Sequence, residues 1–195
     1  MIIIKDPTTL TPDLMPFIVL ANSNDFVAEA IDFRTDLGGY HPCDHAMTAV
    51  HQGKFCSQGG TYSEVPMTDY MIKGSWLAFV QLVNSNDNFV QAYLQAVETH
   101  LALPWWKKLY NWPQIFGQAI GVADLSFPGL FDCSMIDTYL LKQAAKWLPE
   151  ADQAVINGMS SYLNPEQLWK IINDNQNVFS IYGIYQYSSL PASVV

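Results

Sequence analysis

The apolar residues of this chain repeat with two different periods, and the two periods separate predicted strands from predicted helices. Short apolar or alternating runs bounded by turn residues predict strands, whereas apolar residues spaced three or four positions apart predict helices. The predicted strands are residues 16–21, the two strands of a hairpin over 45–58, one short strand within 61–74, residues 75–83 and residues 178–187. The predicted helices are residues 22–36, 84–103, 133–148 and 161–176, and residues 104–129 remain ambiguous between helix and loop.

Residues that favour helix ends support two of these helices. Ser85 or Asn86 can cap the helix over 84–103, and Asn164 followed by Pro165 is typical of a helix start. Strands and helices do not alternate along the chain, so the sequence does not predict a parallel doubly wound sheet. We therefore predict an α+β fold, in which an antiparallel sheet packs against helices in a single domain over residues 1–195.

Composition favours a large core and argues against two classes of partner. Hydrophobic residues make up 50% of the 195 residues and charged residues 14%, which is typical of a folded domain. The net charge of −9 disfavours contact with a phosphate backbone, so no nucleic-acid partner is expected. No run reaches the roughly 18 apolar residues of a membrane span. The first residues lack a signal-peptide pattern, so we expect a protein that is cytoplasmic as made, with association with a virion or later release left open.

One of the three cysteines stands at a position that can make it reactive. Cys43, Cys56 and Cys133 form an odd set, which does not suggest a disulfide framework. Cys133 directly precedes the apolar residues of a predicted helix, and a helix N-terminus favours a thiolate over a thiol. Cys133 is therefore the candidate nucleophile, and the alternative is that it only packs as a small apolar residue.

A thiol nucleophile needs an imidazole base and a polar group that orients the imidazole. His45 is the best candidate base because it opens an apolar strand, which would hold the ring rigidly. The other histidines fall in a loop, beside a turn and at a helix end, at His41, His51 and His100. The alternative for His45 is an ordinary histidine at the end of a strand.

The register of the predicted hairpin decides which residue lies beside His45. A two-residue Gln52-Gly53 turn places Gln58 opposite Met47 and on the face of His45. A three-residue turn with a glycine bulge places Ser57 there instead. We favour Gln58, since its carbonyl oxygen can accept a hydrogen bond from an imidazole N–H.

The ordered set of segments resembles the circularly permuted papain-like cysteine hydrolases of the NlpC superfamily. The segments are "DHAMTAV", a hairpin, "SEVPMTDYM", a strand, a long helix, "LFDCSMIDTYLL" and "LNPEQLW". In that family a strand led by histidine precedes the helix led by cysteine, the reverse of the order in papain. The resemblance covers roughly residues 16–185, nearly the whole chain.

The resemblance implies a papain-like fold and an acyl-transfer reaction. Cys133 matches the nucleophile, His45 the base, and Gln58 or Ser57 the third polar residue. The implied reaction proceeds through an acyl-enzyme and needs no cofactor. The implied substrates are peptidoglycan peptides, other peptide or isopeptide amides, or lipid acyl groups, which makes the expected class a cysteine peptidase or amidase.

Two alternatives belong to other functional classes. The first is a non-catalytic binding or structural module on the same fold, with association with a phage particle left open. It is kept because a neutral third residue supplies no charge to an imidazolium. The second is a zinc site, for which His41, Cys43, His45 and Cys56 offer suitable ligand types. These ligands do not match a standard zinc-binding spacing, so we rank this alternative last.

Overall fold

The computed structural model describes residues 2–12, 16–22, 43, 45–58, 60–71, 75–109, 111 and 133–187. In this part of the chain, seven strands form one mixed sheet in the order β1-β7-β6-β2-β3-β4-β5. The strands are β1 (Ile2–Ile3), β2 (Phe17–Asn22), β3 (His45–His51), β4 (Lys54–Gln58), β5 (Tyr62–Pro66), β6 (Trp76–Leu82) and β7 (Phe179–Gln186). The α+β prediction is confirmed. The prediction of an antiparallel sheet is wrong for one pair, because β1 and β7 run parallel.

The described residues also form four α-helices and four short 3-10 helices. The α-helices are α1 (Asp87–Leu101), α2 (Cys133–Ala144), α3 (Glu150–Gly158) and α4 (Pro165–Asp174). The 3-10 helices are Pro7–Thr9, Met67–Tyr70, Trp105–Lys107 and Ala145–Trp147. The helix predicted over 22–36 lies outside the described residues, apart from Asn22, which ends β2.

The sheet separates two hydrophobic clusters of unequal size. The larger cluster joins one face of the sheet, including Ile18 and Leu20 of β2, to the apolar sides of all four described α-helices. The smaller cluster lies on the other face and includes Val19 of β2 and Met67 of a 3-10 helix. Because β2 is buried on both faces, its sequence is a continuous apolar run and not an alternation.

The strand β7 is an interior strand of the sheet, although it is the last one along the described chain. It pairs with β6 on one side and with β1 on the other. Gly183 faces Ile2 across the β1–β7 pair, and a Cβ atom at Gly183 would lie 2.8 Å from side-chain carbons of Ile2 and Ile4. Glycine at this position therefore allows the β1 segment to approach β7 closely.

The helices α1 and α2 run antiparallel to each other across the sheet. The Asn86 side chain, at the start of α1, donates a hydrogen bond to the carbonyl of Trp147, just beyond the end of α2. At the other end, the rings of His100 in α1 and Tyr139 in α2 lie 6.1 Å apart. The C-terminal end of α1 therefore lies beside the middle of α2.

Candidate active site

Cys133 is the first residue of α2 and is almost completely buried, with 1% of its surface exposed. The next residue, Ser134, donates a hydrogen bond from its hydroxyl to the carbonyl of Leu163. The first amides of a helix have no partner within the helix and favour a neighbouring negative charge. Cys133 therefore opens the described part of α2, and the stabilisation of a thiolate there stays a prediction.

The start of α2 and Cys43, which lies just before β3, contact the same short segment. Ser134 binds the carbonyl of Leu163, and the Cys43 thiol donates a hydrogen bond to the carbonyl of Pro165 at 3.1 Å. Cys43 precedes His45 by two residues. Cys133 and His45 therefore lie at the same end of the sheet, where β3 begins.

Two hydroxyl groups hold the ring of His45 through one nitrogen. His45 Nε2 lies 2.8 Å from Ser57 Oγ and 3.3 Å from the Tyr70 hydroxyl, and the two hydroxyls lie 2.9 Å apart. The rings of His45 and Tyr70 are almost parallel, with an interplanar angle of 6° and centroids 5.6 Å apart. Hydrogen bonds and stacking together fix the plane of the imidazole.

The β3–β4 register corrects the predicted partner of His45. The hairpin has the predicted two-residue turn, since His51 pairs with Lys54, and Gly53 adopts a φ of +72°. However, a bulge between Thr48 and His51 shifts the register, so that Met47 pairs with Ser57. The prediction that Gln58 lies opposite Met47 is therefore wrong, and Ser57 shares the face of His45.

Gln58 lies on the other face of the hairpin, because successive side chains of a strand alternate between faces. Its Nε2 atom donates a hydrogen bond of 2.8 Å to the carbonyl of Lys108. In the described part of the chain, no donor reaches its Oε1 atom, although the residue is 99% buried. A buried acceptor without a donor is uncommon and costs about 1–3 kcal/mol.

The alternation of faces along β3 also places the ring of His45 relative to α2. Thr48 points towards the helices, where its hydroxyl lies 2.5 Å from Asp137 Oδ1 in α2 and 3.1 Å from the hydroxyl of Tyr93 in α1. His45 is three residues earlier, so its side chain leaves the opposite face of the strand. Cys133 and His45 share one end of the sheet, and contact between the sulfur and the imidazole stays a prediction.

The protein environment suppresses the reactivity of Cys56. Burial is the main cause that raises the pKa of the Cys56 thiol to about 12, and the nearby carboxylate of Glu64 adds to it. Burial likewise raises the pKa values of Tyr62 and Tyr93, which belong to the same hydrophobic cluster between the sheet and the helices. Cys56 therefore remains a thiol at neutral pH and is a poor nucleophile.

The residues suggested for zinc do not converge on one point. Cys56 belongs to the cluster under the helices, whereas the ring of His45 lies on the opposite face of the hairpin. Cys43 donates to a backbone carbonyl, and His41 lies outside the described residues. Among the residues that the structure describes, no group of three or more His, Cys, Asp or Glu side chains could hold a metal ion.

Tyr70 is the site residue that the sequence analysis missed. It reaches His45 from the 3-10 helix Met67–Tyr70, which follows the edge strand β5. The sequence over 61–74 carries turn residues, and nothing in its pattern indicates that Tyr70 would fold back onto the start of β3. Only the tertiary structure brings the three polar groups together.

Comparison with known proteins adds no family to this description. No model of a protein family matches the sequence, and no curated protein is significantly similar to it. No helix among the described residues is long and apolar enough to cross a membrane. The chain is an α+β protein with a polar cluster at the end of a mixed sheet, and its function has to be argued from these residues.

Proposed function

We propose that the protein is a thiol hydrolase of the papain-like type, in which Cys133 is the nucleophile and His45 the base. The observation that carries this proposal is that residues 163–165 contact both Ser134 in α2 and Cys43, which lies two residues before His45. Cys133 and His45 therefore lie near the same end of the sheet. Further support comes from the polar groups on His45, because a catalytic imidazole needs a fixed orientation. Ser57 takes the place of Gln58 as the orienting residue, and Tyr70 assists it.

The hydrogen bonds of the ring support one assignment of roles to its two nitrogens. We assign the proton to Nε2, which donates to Ser57 Oγ, while the Ser57 hydroxyl donates to Tyr70. Proton transfer to and from the thiol then uses Nδ1. Since Ser57 and Tyr70 are neutral, they fix the tautomer and the ring plane without adding negative charge.

The reaction begins with a Cys133 thiolate and a His45 imidazolium. The thiolate attacks the substrate carbonyl, and the backbone amide of Cys133 at the start of α2 is a donor for the developing oxyanion. The C–N or C–O bond then breaks as His45 gives its proton to the leaving amine or alcohol. In the second half, His45 takes a proton from water, the hydroxide adds to the thioester, and the C–S bond breaks to release the acid.

A second candidate function is a non-catalytic binding module on the same fold. Two observations favour it: Cys133 is 1% exposed, and the ring of His45 lies on the face of the sheet opposite α2. In this case the helix start and the hydroxyl cluster would be structural features only.

Selective alkylation distinguishes the two functions. The folded protein is treated with iodoacetamide at pH 7, and the labelling rate of each cysteine is followed by peptide mass spectrometry. For a thiol hydrolase, Cys133 labels faster than Cys43 and Cys56, and His45→Ala slows it at least about tenfold, which corresponds to one pKa unit of the thiol. His51→Ala, which removes a partly exposed histidine at the far end of β3, is the matched control and leaves the rate unchanged.

A second variant tests the orienting residue. Ser57→Ala removes a hydroxyl from Nε2 and should slow the labelling of Cys133 less than His45→Ala does, since the base itself remains. If Cys133 labels no faster than Cys56 in the wild-type protein, the thiol hydrolase is refuted and the binding module is favoured.

A further inference from the structure

Gln58 presents a buried hydrogen-bond acceptor in a fixed direction. Its Nε2 donates to the carbonyl of Lys108 at 2.8 Å, and this contact determines which branch of the amide is oxygen, since a flipped amide would set two oxygens against each other. Oε1 meets no donor among the described residues, and only 1% of the residue is exposed. The acceptor is therefore held in place, and no described residue uses it.

The acceptor lies at the end of the sheet where α2 begins, and on the face that α2 covers. Gln58 is the last residue of β4, one position beyond the Met47–Ser57 pair, and therefore stands level with the first residues of β3. On this face, Thr48 contacts Asp137, which follows Cys133 by one helical turn. Cys133 lies one turn closer than Asp137 to the end of the sheet that holds Gln58.

The helix pair supports this placement independently. The antiparallel arrangement of α1 and α2 sets the C-terminal end of α1 beside Tyr139, so the chain that follows α1 continues towards the N-terminal half of α2. The chain that follows α1 includes Lys108, whose carbonyl holds Gln58. Tyr62, the partner of Gln58 in β5, packs its ring against His100 near that same end of α1.

We propose that Gln58 is a substrate-positioning residue, whose Oε1 accepts a hydrogen bond from an amide N–H adjacent to the carbonyl that Cys133 attacks. This inference rests on the proposed thiol hydrolase and narrows its substrates. A peptide or isopeptide amide supplies the N–H, whereas a lipid ester has none and would leave the buried acceptor without a partner. The substrate class is therefore amides, and esters are poor substrates.

Two alkylating reagents that differ in their N–H groups test this inference. Iodoacetamide carries amide N–H groups, and N,N-dimethyl-2-iodoacetamide has none. The rate ratio of the two reagents at Cys133 is divided by their ratio for glutathione, which removes the intrinsic difference in reactivity. We expect wild-type Cys133 to prefer iodoacetamide by about tenfold after this correction, the factor that a single hydrogen bond of about 1.4 kcal/mol supplies.

Variants at position 58 should abolish that preference. Gln58→Met keeps the length of the side chain and removes the acceptor. Gln58→Asn keeps the amide but withdraws the acceptor by one methylene, so it serves if the methionine variant fails to fold. Gln95→Met, which changes an exposed glutamine on α1, is the control and should keep the preference.

The outcomes separate this inference from the proposed function. If Cys133 is selectively reactive but both variants at position 58 retain the wild-type preference, the positioning role is refuted and the thiol hydrolase stands. A wild-type protein whose Cys133 is selectively reactive but shows no preference between the reagents refutes it as well. If Cys133 shows no selective reactivity at all, the proposed function fails and this inference fails with it.

Discussion

The hydroxyl of Thr48 is expected to be a major contributor to stability, and Thr48→Val tests this. Thr48 is fully buried between the sheet and the helices, and its hydroxyl contacts Asp137 Oδ1 at 2.5 Å and the Tyr93 hydroxyl at 3.1 Å. Valine has nearly the same shape, so the substitution removes hydrogen bonds without opening a cavity. The substitution removes one hydrogen-bond partner from each of two buried groups, the Asp137 carboxylate and the Tyr93 hydroxyl.

The expected loss follows from the cost of depriving buried polar groups of a partner. Each such group costs about 1–3 kcal/mol, so removing the hydroxyl that serves both Asp137 and Tyr93 should lower the free energy of unfolding by about 3 kcal/mol. For a domain of this size, 1 kcal/mol corresponds to about 2–4 °C in melting temperature, which gives a decrease of about 6–12 °C. Urea unfolding followed by circular dichroism, with linear extrapolation to zero denaturant, measures the free energy directly.

Thr138→Val is the matched control, because Thr138 is also buried and also loses one hydroxyl. That hydroxyl donates at 2.9 Å to the carbonyl of Ser134, one turn earlier in the same helix. A carbonyl at this position also accepts the helical amide, so it keeps a partner and the loss should stay below about 1 kcal/mol. A Thr48→Val protein within about 0.5 kcal/mol of wild type, or no less stable than Thr138→Val, would refute the reasoning.

Two further predictions concern the surface of the protein. The Lys54 ammonium at 2.8 Å is the main cause that lowers the pKa of Glu64, so this carboxylate stabilises the protein above the ordinary glutamate pKa and the contribution disappears as the pH falls through the lowered pKa. Glu64→Gln should therefore lower the melting temperature at pH 7 only slightly, because the ion pair is exposed. The difference between the two proteins should shrink as the pH falls below the ordinary glutamate pKa, and a difference that stays constant down to acid pH would contradict this. Asn164→Ala removes the capping oxygen that accepts from the Gln167 amide at 2.7 Å, and should cost about 1 kcal/mol in urea unfolding, whereas no measurable loss would show that the cap is dispensable.

The helices were predictable because their signals are local. Asn86 caps α1 and Asn164 caps α4, each through its side-chain oxygen, as the sequence indicates. Helix α3 was not predicted, although Pro149 precedes it and Glu150 lies in its first turn, which are usable signals for a helix start. Strand β1 has only two residues, too few to show any period.

The identity of the residue beside His45 was not predictable in the same way. The turn residues Gln52 and Gly53 predicted the correct turn length, yet the bulge in β3 changes the register beyond it. At the bulge, Ala49 and Val50 stand opposite one residue of β4 and are buried in clusters on opposite faces. Packing on both faces decides this geometry, and a shift of one residue exchanges Ser57 for Gln58.

The interior position of β7 sets the order in which the sheet can be completed during synthesis. β6 gains its second neighbour only after residues 179–186 have left the ribosome, about 100 residues after β6 itself, and such long-range pairing is slow. Until then the nascent chain exposes an unpaired edge of the apolar strand β6, the kind of surface that pairs wrongly with other chains. A chain shortened before Phe179 would therefore leave β6 as an edge strand, and β1 would lose the strand that anchors it.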